Sequence, residues 1–183
     1  FQTRYQPGSY IRIYFGVRGP TLLRLAGRIA DGVILSGPLR YIEQAIGMVH
    51  DEATRRRRAE RADIVVWLPT LVVRKRKDWQ RAKAVAATVI ADTPLKVVEM
   101  SGISSENVER VRATARTQGY RAAARQVSME LVDAFTISGN ADHISQVFES
   151  LARMGANEVV FGPPYGSPLV RSINEVATAW GRL

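Results

Sequence analysis

An α/β domain built on four parallel strands is the fold this sequence predicts, and three observations carry it. Short apolar runs at residues 11–15, 32–35, 64–73 and 158–161 read as buried strands. The segments between them carry helical periodicity. Glycine- and proline-centred breaks separate the two kinds, so strand and helix alternate. That order calls for parallel strands joined by right-handed crossovers.

The elements follow in turn. Residues 1–10 are a polar lead-in with a loop at Pro7-Gly8. Ile11 to Phe15 is apolar and aromatic, as a buried strand should be. Gly16, Val17, Arg18 and Gly19 form a tight loop, and Pro20 suits a first helical position, where its missing N–H costs nothing. Leu22, Leu25, Ala26 and Ile29 fall at helical spacing and predict one buried face. Asp31-Gly32 ends that helix, and Val33 to Leu35 is the second strand. Leu39 to about Ala53 is a helix with Leu39, Ile42, Ile46 and Val49 inside. Asp63 introduces the third strand, in which Pro69 marks a bulge. Trp79, Ala82, Ala86 and Val89 stripe a helix over 77–91. Breakers at Thr93-Pro94 and Ser101-Gly102 are followed by helices over about 105–118 and 120–135. Arg112/Arg116 and Arg121/Arg125 are like-charge pairs at i, i+4, which need acidic partners to be neutral. Asn140 is an N-cap for a helix to Met154, with Ile144, Val147, Phe148 and Leu151 inside. Glu158 to Phe161 is the last strand, residues 162–166 a loop, and Pro168 to Trp180 the closing helix. Trp67, Trp79 and Trp180 are expected in the core.

At 183 residues the chain suits one domain, 1–183, and its 46% hydrophobic content suffices for a core. The absence of cysteine excludes thiolate metal sites, catalytic cysteines and disulfides. No apolar run approaches the ~18 residues of a membrane span, so no membrane partner is expected, and a cytoplasmic location fits. The formal charge of +9 is driven by arginine, densest at Arg55 to Arg58. A solvated helix end accounts for that run, cations being favoured at the C-terminal dipole; attraction of an acidic ligand is the alternative. Without aromatic interleaving it does not suggest nucleic acid.

The strand–glycine loop–helix unit is the leading site. Such a loop aims backbone N–H groups at the positive end of a helix dipole, which suits an anion, most often a phosphate. Gly16, Val17, Arg18, Gly19, Pro20 and Thr21 are its candidate residues, with Arg18 and Thr21 able to add side-chain donors. Ser36 follows the second strand, and Gly162, Pro163 and Tyr165 follow the last. In a parallel sheet these loops share one end. His50 and His143, the two histidines, sit in predicted helices, and neither belongs to a cluster with metal-ligand or nucleophile-triad spacing.

The same segments carry a resemblance. A strand ending Gly-x-x-Gly-Pro, a helix ending Ala-Gly-x-Ile-Ala-Asp-Gly at Ala26 to Gly32, the helix start at Ser138 to Asp142 and the strand and loop at Gly155 to Pro163 resemble the luciferase-like monooxygenase superfamily. The variant resembled is the deazaflavin-dependent methylenetetrahydromethanopterin reductases. The resemblance implies a (β/α)8 TIM-barrel family fold, here its C-terminal half, with a helical insertion over about 92–137 before the last strand. A complete barrel needs about 250 residues, and this chain begins at Phe1 rather than Met. A separate N-terminal half-barrel, homo-oligomerisation or a longer protein of which this chain is a piece is therefore expected. The implied activity is oxidoreduction: hydride transfer between coenzyme F420 and a small-molecule methylene-tetrahydropterin-type substrate. An FMN-dependent monooxygenase of the same fold, or a non-catalytic half-barrel with a binding or assembly role, are the alternatives. The resemblance makes residues 16–21 and Ser36 coenzyme contacts and Gly162, Pro163 and Tyr165 substrate contacts. It places most reactive groups in the first half of the barrel, so no catalytic residue is named.

Overall fold

A computed structural model describes residue 8 and residues 10–182. Most of the polar lead-in, including the expected turn at Pro7, lies outside the described residues.

The four expected strands are present as β1 (Tyr14–Gly16), β2 (Gly32–Leu35), β3 (Asp63–Val72) and β5 (Glu158–Tyr165), but the first is corrected: it begins at Tyr14 rather than Ile11, and Ile11, Ile13 and Tyr14 are exposed rather than buried. They pair in parallel, with β2 between β1 and β3, and β5 on the other edge of β3. A short fifth strand, β4 (Ile137–Gly139), had no counterpart in the sequence reading. It pairs with the C-terminal end of β3 through Thr70, Leu71 and Val72. Three residues are too few to show strand periodicity.

Helices α1 (Pro20–Ile29), α2 (Leu39–Arg55), α8 (Ala141–Arg153) and α9 (Leu169–Trp180) belong to the alternating frame. Leu23, Ala26, Val33, Leu35, Ile42, Ile46, Ile64, Val66, Leu68 and Ile144 share one buried cluster between these helices and the sheet. Between β3 and β4 come α3 (Arg76–Asp92), α4 (Leu95–Ser101), α5 (Ser105–Gln118), α6 (Tyr120–Gln126) and α7 (Met129–Phe135), so the helical insertion, expected over about 92–137, forms one unit with α3, with which it shares a core. It has its own core of Ala82, Ala86, Ile90, Val98, Val108, Val111, Leu131 and Phe135, joined to the sheet at Leu71. Two expectations are corrected here. The helix expected over 120–135 is broken at Val127, where the backbone is extended and Ser128 caps a new helix. The stretch read as breakers contains α4, started at Pro94 and stopped by the left-handed Gly102.

The expected buried face of α1 is also corrected. Leu23, Ala26, Gly27 and Ala30 are buried, whereas Leu22, Leu25 and Ile29 are 47%, 38% and 61% exposed. Periodicity located an apolar stripe, but the helix packs on α2 through its small residues. Gly27 permits this, since a Cβ there would stand 2.6 Å from the Val49 carbonyl oxygen. Trp67 and Trp180 are likewise at the surface rather than in the core. The sheet face bearing Ile34 and Trp67 carries no helix of the alternating frame. Among the described residues β1 pairs only with β2, and β5 only with β3.

The arginine run closes the end of α2. Arg58 donates to the carbonyls of Gly27 and Ala30 at the C-terminus of α1, and Arg56 reaches the buried Glu52, which Arg28 also holds at 2.7 Å. At the upper end of β3, Asp78 accepts from the N–H groups of Arg74 and Lys75, and Arg74 continues to Glu175 on α9 at 2.6 Å. Hydrogen bonds from Arg171 and Arg74 hold the Glu175 carboxyl below its ordinary pKa, and the Arg74 N–H does the same for Asp78. A depressed folded pKa stabilises at pH above the unfolded value and loses that stability as pH falls through the folded one. Acid titration of unfolding should therefore show stability falling below about pH 4, and Glu175→Gln should flatten that fall while lowering stability at neutral pH. An unchanged acid limb would contradict the contact.

Candidate functional site

In a parallel sheet the loops after β1, β2, β3 and β5 lie at one end. Register sets their heights. Gly16 is level with Ile34, and Leu35 with Val66, which is level with Val159. From Val66, β3 runs six residues further to Val72, roughly 20 Å at strand rise. The loops after the short strands β1 and β2 therefore nestle beside a taller wall.

The insertion completes that wall. Its first helix, α3, starts just past β3 and ends at Asp92, whose carboxylate takes the guanidinium of Arg18 at 2.9 Å. Val97 of α4 stands against Gly37, in the loop after β2. The glycine loop, the Ser36–Gly37 loop and the insertion thus meet at one place.

Within it, Gly19 caps α1 at φ +91°, a conformation that side-chain-bearing residues rarely adopt. A Cβ on Gly19 would meet nothing, so the backbone, not crowding, demands glycine. Pro20 is the first helical residue, as expected. A glycine cap has no side chain to satisfy the first-turn donors, and α1 has no side-chain cap bond. The N–H groups of Thr21 and Leu22, which have no acceptor within their own helix, are left for solvent or an anion. The Gly19 N–H is instead taken by the hydroxyl of Tyr41, at 3.3 Å.

Tyr41 was missed by sequence reasoning, which counted Leu39 and Ile42 but neither of the two residues between them. It is fully buried, burial raises its phenol pKa, and its ring lies against Gly37, where a Cβ would come within 2.8 Å. One side chain therefore fixes the loops after β1 and β2 together. The available signal was a tyrosine in the first turn of the helix that follows the Ser36–Gly37 loop.

The remaining candidates divide. Val17 is buried as loop anchor, Thr21 is exposed, and Ser36 is half-buried beside Gly37. Arg18 is engaged by Asp92 rather than free. The stretch 162–166, expected as a loop, is corrected: β5 runs through it to Tyr165. Gly162 is buried opposite Pro69, and a Cβ there would stand 2.6 Å from the Leu68 carbonyl oxygen, so close strand packing requires this glycine. The ladder is irregular between Pro69 and Leu71, the bulge expected at Pro69. Pro163 is exposed. Tyr165 sits at φ +65° with its ring edge-on to Phe161 at 5.5 Å, a partner that draws it into the aromatic row Phe161–Phe148–Trp180.

A family profile described as luciferase-like monooxygenase matches residues 1–158. The chain belongs to the luciferase-like monooxygenase family. Among its relatives, the 5,10-methylenetetrahydromethanopterin reductase of Archaeoglobus fulgidus is 32% identical over 176 residues, 92% of this chain and 53% of the relative. The enzyme of the same name from Methanopyrus kandleri is 29% identical, over 92% of this chain and 49% of the relative. Among solved structures, the coenzyme F420 dependent tetrahydromethanopterin reductase of Methanopyrus kandleri superposes with a TM-score of 0.78 at 25% identity, covering 93% of this chain and 51% of that one. The chain thus spans about half the length of the luciferase-like relatives it matches. Among the described residues no helix is long and apolar enough to cross a membrane.

Proposed function

We propose that this chain is the C-terminal half of a luciferase-like barrel whose activity is hydride transfer between coenzyme F420 and a methylene-tetrahydropterin-type substrate. The observation that carries the reading is the 32% identity to a 5,10-methylenetetrahydromethanopterin reductase across nearly the whole chain. The glycine-capped start of α1 supports the coenzyme assignment independently, because its cap leaves donors unfilled at a positive helix end.

The coenzyme, when bound, supplies the hydride chemistry. The chain's residues supply placement. The N–H groups of Thr21 and Leu22 bind the phosphate, with the Thr21 hydroxyl beside them. Tyr41 holds Gly19 in its left-handed conformation, and Asp92 holds Arg18 so that the loop keeps its shape. Ser36 lines the neighbouring loop. Pro163 and Tyr165, at the top of β5, border the substrate. The other four strands, from further polypeptide or a second chain, close the barrel and bring the remaining groups. A cytoplasmic location fits a cysteine-free oxidoreductase.

The test is a deazaflavin fluorescence titration on a barrel completed with the N-terminal half of a relative. Gly19→Val should weaken coenzyme binding by about 1–3 kcal/mol, the scale of backbone strain or a lost anion contact. Unchanged affinity would remove the loop from the site. Tighter binding of FMN than of the deazaflavin, with oxygen consumption, would make the chain part of a monooxygenase instead.

A further inference from the structure

The insertion carries a second, basic concavity that the coenzyme site does not use. A groove of about 540 Å³ runs between α3 and α6, lined by Gln80, Lys83, Thr88, Tyr120, Arg121 and Arg125. Lys83, Arg121 and Arg125 form no ion pair with any described carboxylate. Some helical cations are neutralised at i, i+3 or i, i+4, as Arg153 is by Glu149, Arg171 by Glu175 and Lys96 by Glu99, whereas Arg24, Arg40, Arg76, Lys77 and Arg81, like the groove cations, have no ion pair with a described carboxylate. The i, i+4 pair Arg112/Arg116 has Glu109 between the two cations. Arg121/Arg125 has no such residue, so two like charges about 6 Å apart along α6 face the Lys83 side of α3 at a cost to the fold.

Tyr120 stands where this groove meets a smaller one of about 160 Å³, lined by Ala91, Arg112, Ala115 and Arg116. Gly119, at φ +81°, turns the chain between α5 and α6 and sets Tyr120 there, 54% exposed. A large ring half in water between two concavities offers a flat apolar surface beside the cations. Arg116, Arg121 and Arg125 thus follow one another along α5 and α6, opposite α3.

We propose that the α3–α6 groove binds a short linear polyanion, a chain of carboxylates or phosphates, with Lys83, Arg121 and Arg125 as the charge contacts and Tyr120 packing against its backbone. The proposal rests on the groove alone and stands whether or not the coenzyme reading does. A single small anion does not fit the arrangement, because the cations are spread along two helices. An extended ligand that meets them in succession does.

The test uses the unaltered chain, with tetraglutamate and inorganic tripolyphosphate as separate probes in calorimetry at low salt. At least one should bind, and affinity should fall as salt screens the exposed charges. Arg121→Glu with Arg125→Glu should weaken binding at least tenfold, and the milder Arg121→Gln with Arg125→Gln should weaken it less; neither should melt below the unaltered chain, the glutamine pair being relieved of the like-charge cost. Arg153→Glu, a cation on α8 already paired, should leave binding unchanged. The probe that binds tells carboxylate from phosphate ligands. Binding of neither, binding indifferent to Arg121 and Arg125, equal competition by acetate, or stronger binding of duplex RNA through the same residues would each overturn the proposal.

Discussion

Gly162→Val is expected to destabilise the chain by about 2–3 kcal/mol, the upper part of the range for overpacking a tight site. Gly162 faces Pro69 across the β3–β5 ladder, and its missing side chain is what lets the two backbones approach. A Cβ would meet the Leu68 carbonyl oxygen at 2.6 Å, and Leu68 is itself fully buried, so neither strand can yield cheaply. Chemical unfolding followed by circular dichroism measures the effect. Gly47→Ala is the control. Gly47 lies inside α2 with nothing within 4 Å of a Cβ, so that change should be stabilising by about 0.5–1 kcal/mol. Equal stability for Gly162→Val and the unaltered chain would mean that β5 does not run beside β3 as described.

The ladder also shows where sequence reading stops. The strand cores were legible because Val33-Ile34-Leu35 and Ile64 to Leu68 are continuous apolar runs, the pattern of a parallel sheet covered on both faces, although one face is open among the described residues. The top of β5 was not, because Gly162-Pro163-Pro164-Tyr165-Gly166 has the composition of a turn. The neighbouring strand, not local propensity, keeps it extended. The Asn140 cap was legible, and its side chain accepts from the His143 N–H at 2.8 Å. At the candidate site, the glycine loop and Pro20 were legible because their backbone requirements leave a local mark. Tyr41 and Asp92 were not, for they reach the loop from 22 and 74 residues away in sequence. Long-range partners of that kind leave no periodicity to read.

The α1 stripe is the most instructive difference, and it leads to the other large effect. Leu22, Leu25 and Ile29 were correctly identified as apolar and helical, yet the described residues leave them 38–61% exposed. Ile34 and Trp67 are 40% and 37% exposed on the helix-free face of the sheet, and Leu169, Val170, Ile173 and Trp180 are exposed on α9 beside the β5 edge. Between α8 and α9, an apolar cavity of about 380 Å³ opens over β5, lined by Phe148, Val159, Phe161, Ile173, Val176 and Trp180. These surfaces lie at both ends of the strand order and on the inner face. An eight-stranded barrel would need its other half in those places. Burying nine such side chains from about half exposure gains on the order of 10 kcal/mol. That is comparable with the cost of bringing two chains together, about 4–15 kcal/mol. The unpaired N–H and C=O groups of β1 and β5 add backbone pairing to the same side of the balance. The chain by itself should therefore self-associate at micromolar concentration in sedimentation velocity and show no hydride transfer. Leu25→Glu with Ile29→Lys should shift it toward monomer without unfolding it, since both sites are exposed in the single chain. Adding an N-terminal half-barrel should dissolve the self-association and restore turnover. A stable monomer that catalyses hydride transfer alone would refute the half-barrel reading, because it would show that four strands and one open face make a complete site.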